Sequence, residues 1–150
     1  MSLEKIINED IKQAMRSRDK RKLEALRAIK AALLLEKTGR DTSTTEVPES
    51  IELKLLQKLV KQRKESAIIY KEQNREELAE NELYQAQIIE NFLPAQMDEK
   101  EVREVINSII KNEGASSMKD MGKIMGMASK QLAGKADNKI VSSLIKELLS

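Results

Sequence analysis

Histidine, cysteine and tryptophan are missing from this chain, and its aromatic residues are one Phe, Phe92, and two Tyr, Tyr70 and Tyr84. Without His or Cys there is no ordinary proton shuttle near neutral pH and no thiolate nucleophile. The same absence removes the ligands that most zinc, copper and iron sites use. Disulfides are excluded, so nothing points to an oxidising compartment. Ser, Thr, Lys and carboxylates remain, and each needs a partner in a defined pocket before it does chemistry. No catalytic residue, metal site or cofactor is therefore expected. No apolar run approaches the length that crosses a bilayer. The start, Met1-Ser2-Leu3-Glu4-Lys5, has no basic region followed by an apolar block. A cytoplasmic protein with no membrane partner is the expectation.

The apolar 40% and charged 35% of the 150 residues suit a folded, aliphatic-cored chain of one domain or two small ones. The apolar spacing is helical nearly throughout, and no strand pattern is visible. Leu3, Ile6, Ile7, Ile11, Ala14 and Met15 share one face of a first helix. Asp19 suits an N-cap, and Leu23, Leu26, Ile29, Leu33 and Leu34 mark a second helix ending near Gly39. The stretch TGRDTSTTEV, 38–47, reads as a loop. Pro48 suits the first turn of a third helix carrying Ile51, Leu55, Leu56, Leu59, Val60, Ala67 and Ile68. A break near Asn74 precedes a fourth helix, from Arg75 to about Asn91, with Leu78, Ala79, Leu83, Ala86 and Ile89 inward.

Phe92-Leu93-Pro94 ends that helix, because proline disfavours helical geometry in the residue before it. The boundary between an N-terminal domain, 1–93, and a C-terminal one, 94–150, is placed there. Asp98 caps a fifth helix with Val102, Val105, Ile106, Ile109 and Ile110, and Gly114 stops it. Ser116 or Ser117 caps a sixth, with Met118, Met121, Met125, Ala128 and Leu132 inward. Gly134 stops the sixth, Asp137 caps a seventh, and Ile140, Val141, Leu144, Ile145, Leu148 and Leu149 close the chain. The fold class is all-α: about four N-terminal helices plus a three-helix C-terminal domain.

Charge is uneven. Residues 1–40 carry eleven Lys/Arg against six acids, residues 41–93 seven against eleven, and residues 94–150 nine against eight. The net +2 hides basic ends and an acidic middle. Four features stand out. Gly122 and Gly126 are four apart on one helix face, and each costs up to about 1 kcal/mol relative to Ala. Spacing alone favours a helix crossing tightly over them, most simply the seventh; the other reading is backbone open to a ligand. Lys119, Lys123, Lys130, Lys135 and Lys139 form a basic set, with Lys119 and Lys123 on one helix face. Lysines beside glycines and helix starts suit phosphate oxygens, although charge alone equally describes a solvated face. Arg16, Arg18, Lys20, Arg21, Lys22, Arg27 and Lys30 oppose only Asp19 and Glu24, as a nucleic-acid stripe or as the solvent side of a helical hairpin. Both basic regions lack aromatics for stacking on bases, which leaves recognition of shape and backbone. Finally, Arg63 and Ser66 lie one turn apart, where Glu82 of the antiparallel fourth helix meets Arg63 or Arg75 in a structural polar network.

These residues resemble the YqeY family, small bacterial proteins containing the GatB/YqeY domain, over essentially the whole chain. The matching segments are Leu26-Arg27-Ala28-Ile29-Lys30, Lys61-Gln62-Arg63-Lys64-Glu65-Ser66, Arg75-Glu76-Glu77-Leu78-Ala79 and Phe92-Leu93-Pro94. The most specific is C-terminal: Lys119 to Gly126, then Gly134-Lys135-Ala136-Asp137 and Lys139-Ile140-Val141-Ser142. Asn138 stands where the family often has Gly, and Asn tolerates left-handed geometry. Phe92 stands where the family has Tyr. The resemblance implies a two-part all-α fold whose C-terminal domain is similar to the tail of the B subunit of the glutamine-dependent tRNA amidotransferase. That tail helps hold tRNA while other domains do the chemistry. Labels of carbon–nitrogen ligase activity therefore travel with the family, but no ATP site or ammonia-handling region matches here. The expectation is a non-catalytic tRNA-binding module. Its contacts are Lys119, Gly122, Lys123, Gly126, Lys130, Gly134, Lys135 and Lys139. The alternative is a helical adaptor docking on a synthetase or amidotransferase through the acidic middle.

Overall fold

The computed structural model describes residues 2–39 and 47–150. Among these there are seven α-helices and no strand, so the fold is all-α. The chain divides into two compact units, 1–93 and 94–150.

The first unit holds α1 (Leu3–Ser17), α2 (Lys20–Thr38), α3 (Glu49–Glu72) and α4 (Glu76–Glu90). Ser2 caps α1, and the Asp19 side chain accepts from Lys22 N–H at 3.1 Å to cap α2. Between them Arg18 takes the left-handed conformation at φ 57°, which reverses the chain in two residues. Asn74, at φ 59°, does the same between α3 and α4. Asn is among the few side chains that adopt this region readily; Arg is not. Ile7 of α1, Leu26 and Ile29 of α2, Leu56 of α3 and Ile89 of α4 form the fully buried centre. Each contributes roughly 1.5–3 kcal/mol by leaving water.

Several expectations are corrected here. Gly39 ends α2 in right-handed geometry, at φ −74°, and Pro48 precedes α3 as its cap instead of sitting in its first turn. Residues 40–46 of the expected loop lie outside the described residues, while Thr38 belongs to α2. Met15, Leu34, Ile68, Leu78 and Leu83, expected inward, are exposed. Leu78 and Leu83 sit on the part of α4 before Tyr84 and Gln85, the residues that meet the start of α2.

The second unit holds α5 (Glu99–Glu113), a single 3-10 turn (Met118–Asp120), α6 (Met121–Gln131) and α7 (Asn138–Leu149). Asp98 caps α5, accepting from Glu101 N–H at 2.8 Å, and Gly114 ends it at φ 66°. Ser117 caps the 3-10 turn and Asp137 caps α7. The core is purely aliphatic: Val102, Ile106 and Ile109 meet Ile124, Ala128 and Leu132, with Val141, Leu144, Ile145 and Leu149 closing it. Ile140 is 47% exposed, and Met118, which lies in the 3-10 turn ahead of α6, is 46% exposed, both against expectation. Asn138 opens α7 without left-handed geometry; in this turn that geometry belongs to Gly134, at φ 73°.

Candidate nucleic-acid interface

The outer face of α6 follows from its inner one. Ile124, Ala128 and Leu132 are buried at spacings of four, which points Gly122, Lys123, Gly126 and Lys130 to the opposite side. All four are exposed. A Cβ built on Gly122 or Gly126 would meet nothing within 4 Å. No helix crosses over these glycines, so the tight-crossing expectation is corrected, and α7 packs on other residues of α6. What remains is a strip of helix bare of side chains, with a lysine on its flank at each end.

The lysines are not equivalent. Lys123 forms an ion pair with Glu113 at 2.8 Å, and that hydrogen bond and charge raise its ammonium above the ordinary lysine value. Lys119 lies in the 3-10 turn ahead of α6, so it does not share a regular helix face with Lys123. Lys119, Lys130 and Lys139 are exposed and form no ion pair with any described residue. Lys119 precedes α6 and Lys139 follows its far end, so the set is strung along about 16 Å of helix, at 1.5 Å per residue.

The 134–139 turn is occupied by the fold itself. Gly134 is buried, and its carbonyl accepts from Gln96 Nε2 at 2.7 Å. Lys135 is half-buried; its N–H donates to Leu132 O at 2.9 Å and its carbonyl accepts from Met97 N–H at 2.9 Å. The Asp137 carboxylate accepts from Lys139 N–H at 3.0 Å, filling the start of α7 with negative charge. The exposed, side-chain-free backbone therefore lies on α6, while Gly134 and Lys135 tie down the segment that enters α5.

The polar network in the first unit is real but runs through a residue that periodicity concealed. Arg63 Nε donates to Gln85 Oε1 at 3.2 Å, and Gln85 Nε2 donates to Glu24 Oε2 at 3.0 Å. Tyr84 OH donates to Asp19 at 3.5 Å, and the Arg21 guanidinium stands 5.6 Å from the Tyr84 ring centre. Glu82 and Ser66 line a shallow depression with Arg63, but neither bonds to it. Gln85, 8% exposed, sits between Leu83 and Ala86 with no sequence signal of its own. Ile124, fully buried at the centre of α6, is absent from the face read from the sequence, although its place three residues after Met121 and four before Ala128 is a signal that could have found it. No such signal marks Glu113, ten residues before its partner Lys123.

A family model described as Yqey-like protein matches residues 4–149. The chain belongs to this family. It is 31% identical over 147 residues to "Altered inheritance of mitochondria protein 41, mitochondrial" of Pyrenophora tritici-repentis, covering 93% of this chain and 77% of that protein. It is 30% identical over 122 residues to the protein of the same name in Vanderwaltozyma polyspora, covering 77% of this chain and 64% of that one. The chain thus spans just under two thirds of the second relative. The cytoplasmic expectation is corrected by these relatives, both of which are named as mitochondrial. That expectation rested on the first few residues, which carry no information about compartment when read alone. Among the described residues no helix is long and apolar enough to cross a membrane.

Proposed function

We propose that this Yqey-like protein binds structured RNA, tRNA first among candidates, and performs a binding step without catalysing a reaction itself. One observation carries the reading: Gly122 and Gly126 leave the outer face of α6 bare, between Lys119 and Lys130, neither of which forms an ion pair with a described residue. A helix that accepts glycine in its first turn and again in its interior, with no packing reason, gives up stability for close access. The resemblance of the C-terminal unit to an amidotransferase tail that holds tRNA supports RNA over other polyanions. For compartment, the relatives' names support a mitochondrial setting.

The test is a titration of the full chain against bulk tRNA across a salt series. Three phosphate contacts from Lys119, Lys130 and Lys139 give a log–log slope of about −2 to −3 from this surface. The triple variant Lys119→Gln, Lys130→Gln, Lys139→Gln should lose that share. No tRNA binding at low salt, or a variant indistinguishable from the parent, removes the reading.

A second reading is favoured by the exposed Ile68, Ile69, Leu78 and Leu83 on a hairpin rich in acids, which suit a protein partner. This adaptor, docking on a synthetase or amidotransferase, predicts a protein captured from lysate that survives nuclease treatment and is lost on Leu78→Lys with Ile69→Lys.

A further inference from the structure

We propose that the α1–α2 corner is a second RNA phosphate-backbone contact, independent of α6. The proposal rests on the RNA reading above, and it concerns a surface that the C-terminal resemblance does not cover.

Seven basic residues between Arg16 and Lys30 face only two acids in sequence, Asp19 and Glu24. On an ordinary solvated hairpin those acids would pair with their basic neighbours. Here both are engaged by α4 instead, Asp19 half-buried and Glu24 still exposed. Asp19 caps α2 through Lys22 N–H and accepts from Tyr84 OH. Glu24 accepts from Gln85, which is itself held by Arg63. The negative charge is thereby directed at α4. Arg16, Arg18, Lys20, Arg21, Arg27 and Lys30 are all exposed, and none forms an ion pair with a described residue. On α2, Lys20 and Arg27 are seven apart and share a face, while Arg16 and Arg18 end α1 at the corner.

Arg18 adds a second observation. It occupies a left-handed position, φ 57° and ψ 32°, where glycine is favoured and a long side chain is disfavoured. Its backbone N–H bonds to Ala14 and Met15 carbonyls, so glycine would serve the turn at least as well. The side chain has no described partner that accounts for its retention. A cation at that corner fits a phosphate ligand. With no aromatic side chain exposed among these cations for stacking on bases, the contact is to backbone and shape, as in recognition of paired RNA.

The experiment uses the full chain, bulk tRNA as probe, and fluorescence anisotropy over a salt series. The corner variant is Arg16→Gln, Lys20→Gln, Arg27→Gln; these side chains are exposed and form no ion pair with a described residue, and circular dichroism checks helicity. Its log–log salt slope should be shallower than the parent's by about 2 to 3, with affinity at 0.1 M salt reduced by at least ~10-fold. Arg18→Gly, which suits the backbone, should weaken binding by several-fold. Arg16→Lys with Arg27→Lys should leave the slope unchanged, because a point charge suffices for a phosphate. An unchanged slope in the corner variant overturns the proposal, and so does vesicle binding through these cations, with anionic lipid, in a chain that ignores tRNA. If the corner variant loses slope while the Lys119/Lys130/Lys139 variant does not, the corner stands and the α6 placement fails. The converse result overturns the corner alone.

Discussion

The two basic surfaces of this chain present cations by opposite routes. At the α1–α2 corner the local acids are held by Tyr84 and Gln85 of α4, and long side chains stand free in solvent. On α6 the strongest local pair stays outside, with Glu113 holding Lys123 at 2.8 Å, and what stands free is backbone. The corner is therefore built for charge and α6 for approach. A charge site should respond to the number of cations and to salt, and should tolerate changes of shape. An approach site should respond to a single methyl group. Counting lysines and arginines in the sequence blurs this distinction.

The largest expected effect comes from breaking the hydrogen bonds that hold Glu24 on α4. Gln85→Ala removes the link between Arg63 and Glu24. Leaving partly buried polar groups without partners costs about 1–3 kcal/mol. In a unit of this size each kcal/mol lowers the melting temperature by roughly 4–8 °C. The same variant frees Glu24 to face the corner, so the tRNA salt slope should also become shallower by up to about 1. Thermal melting together with anisotropy reads both. A loss of stability with an unchanged slope would separate the relay from the corner.

Next in size is the pair Gly122→Ala and Gly126→Ala. Each added methyl group enters open space, and Ala is favoured over Gly in a helix interior by up to about 1 kcal/mol. The double variant should be more stable by up to about 1 kcal/mol in urea unfolding, mostly from Gly126 in the helix interior, and should bind tRNA more weakly, with its salt slope unchanged. The same methyl groups would have destabilised the protein had another helix crossed here. A stabilised variant with unaltered tRNA affinity would reduce α6 to an ordinary solvated face.

How much of this was legible depended on whether the signal was local. Asp19, Asp98, Asp137 and Gly114 were readable because a cap involves residues within one turn. The helix faces were readable up to their width and no further. Leu78 and Leu83 continue an apolar stripe on α4, but the hairpin carrying them extends past the start of α2, and helix length decides that. The glycine pair was misread for a related reason: the spacing of Gly122 and Gly126 states that a methyl group is absent, and only the neighbours show why. Gln85, Glu24 and Arg63 lie on three helices, and Glu113 and Lys123 on two, so their pairing required the fold.

A comparable effect is expected at Arg18. Arg18→Gly relieves a left-handed backbone position and should raise stability by up to about 1 kcal/mol while weakening tRNA binding. Stability and affinity moving in opposite directions would mark the residue as kept for its charge.

The smallest effect is at Glu113→Gln, which acts on the exposed Glu113–Lys123 pair. Lys123's raised value means the folded chain holds its proton more tightly than the unfolded one. The contribution of the pair is fully present below lysine's ordinary value of about 10.4 and is lost as pH rises through the higher folded value. Stability at neutral pH should barely move, since solvent screens exposed pairs. The titration of Lys123, followed by its side-chain NMR signals, should fall back to the ordinary lysine range. Lys123 would then join Lys119, Lys130 and Lys139, and the tRNA salt slope should steepen by up to about 1. A slope that stays put would mean that α6 meets its ligand through bare helix and the outer lysines, with Lys123 committed to Glu113 throughout.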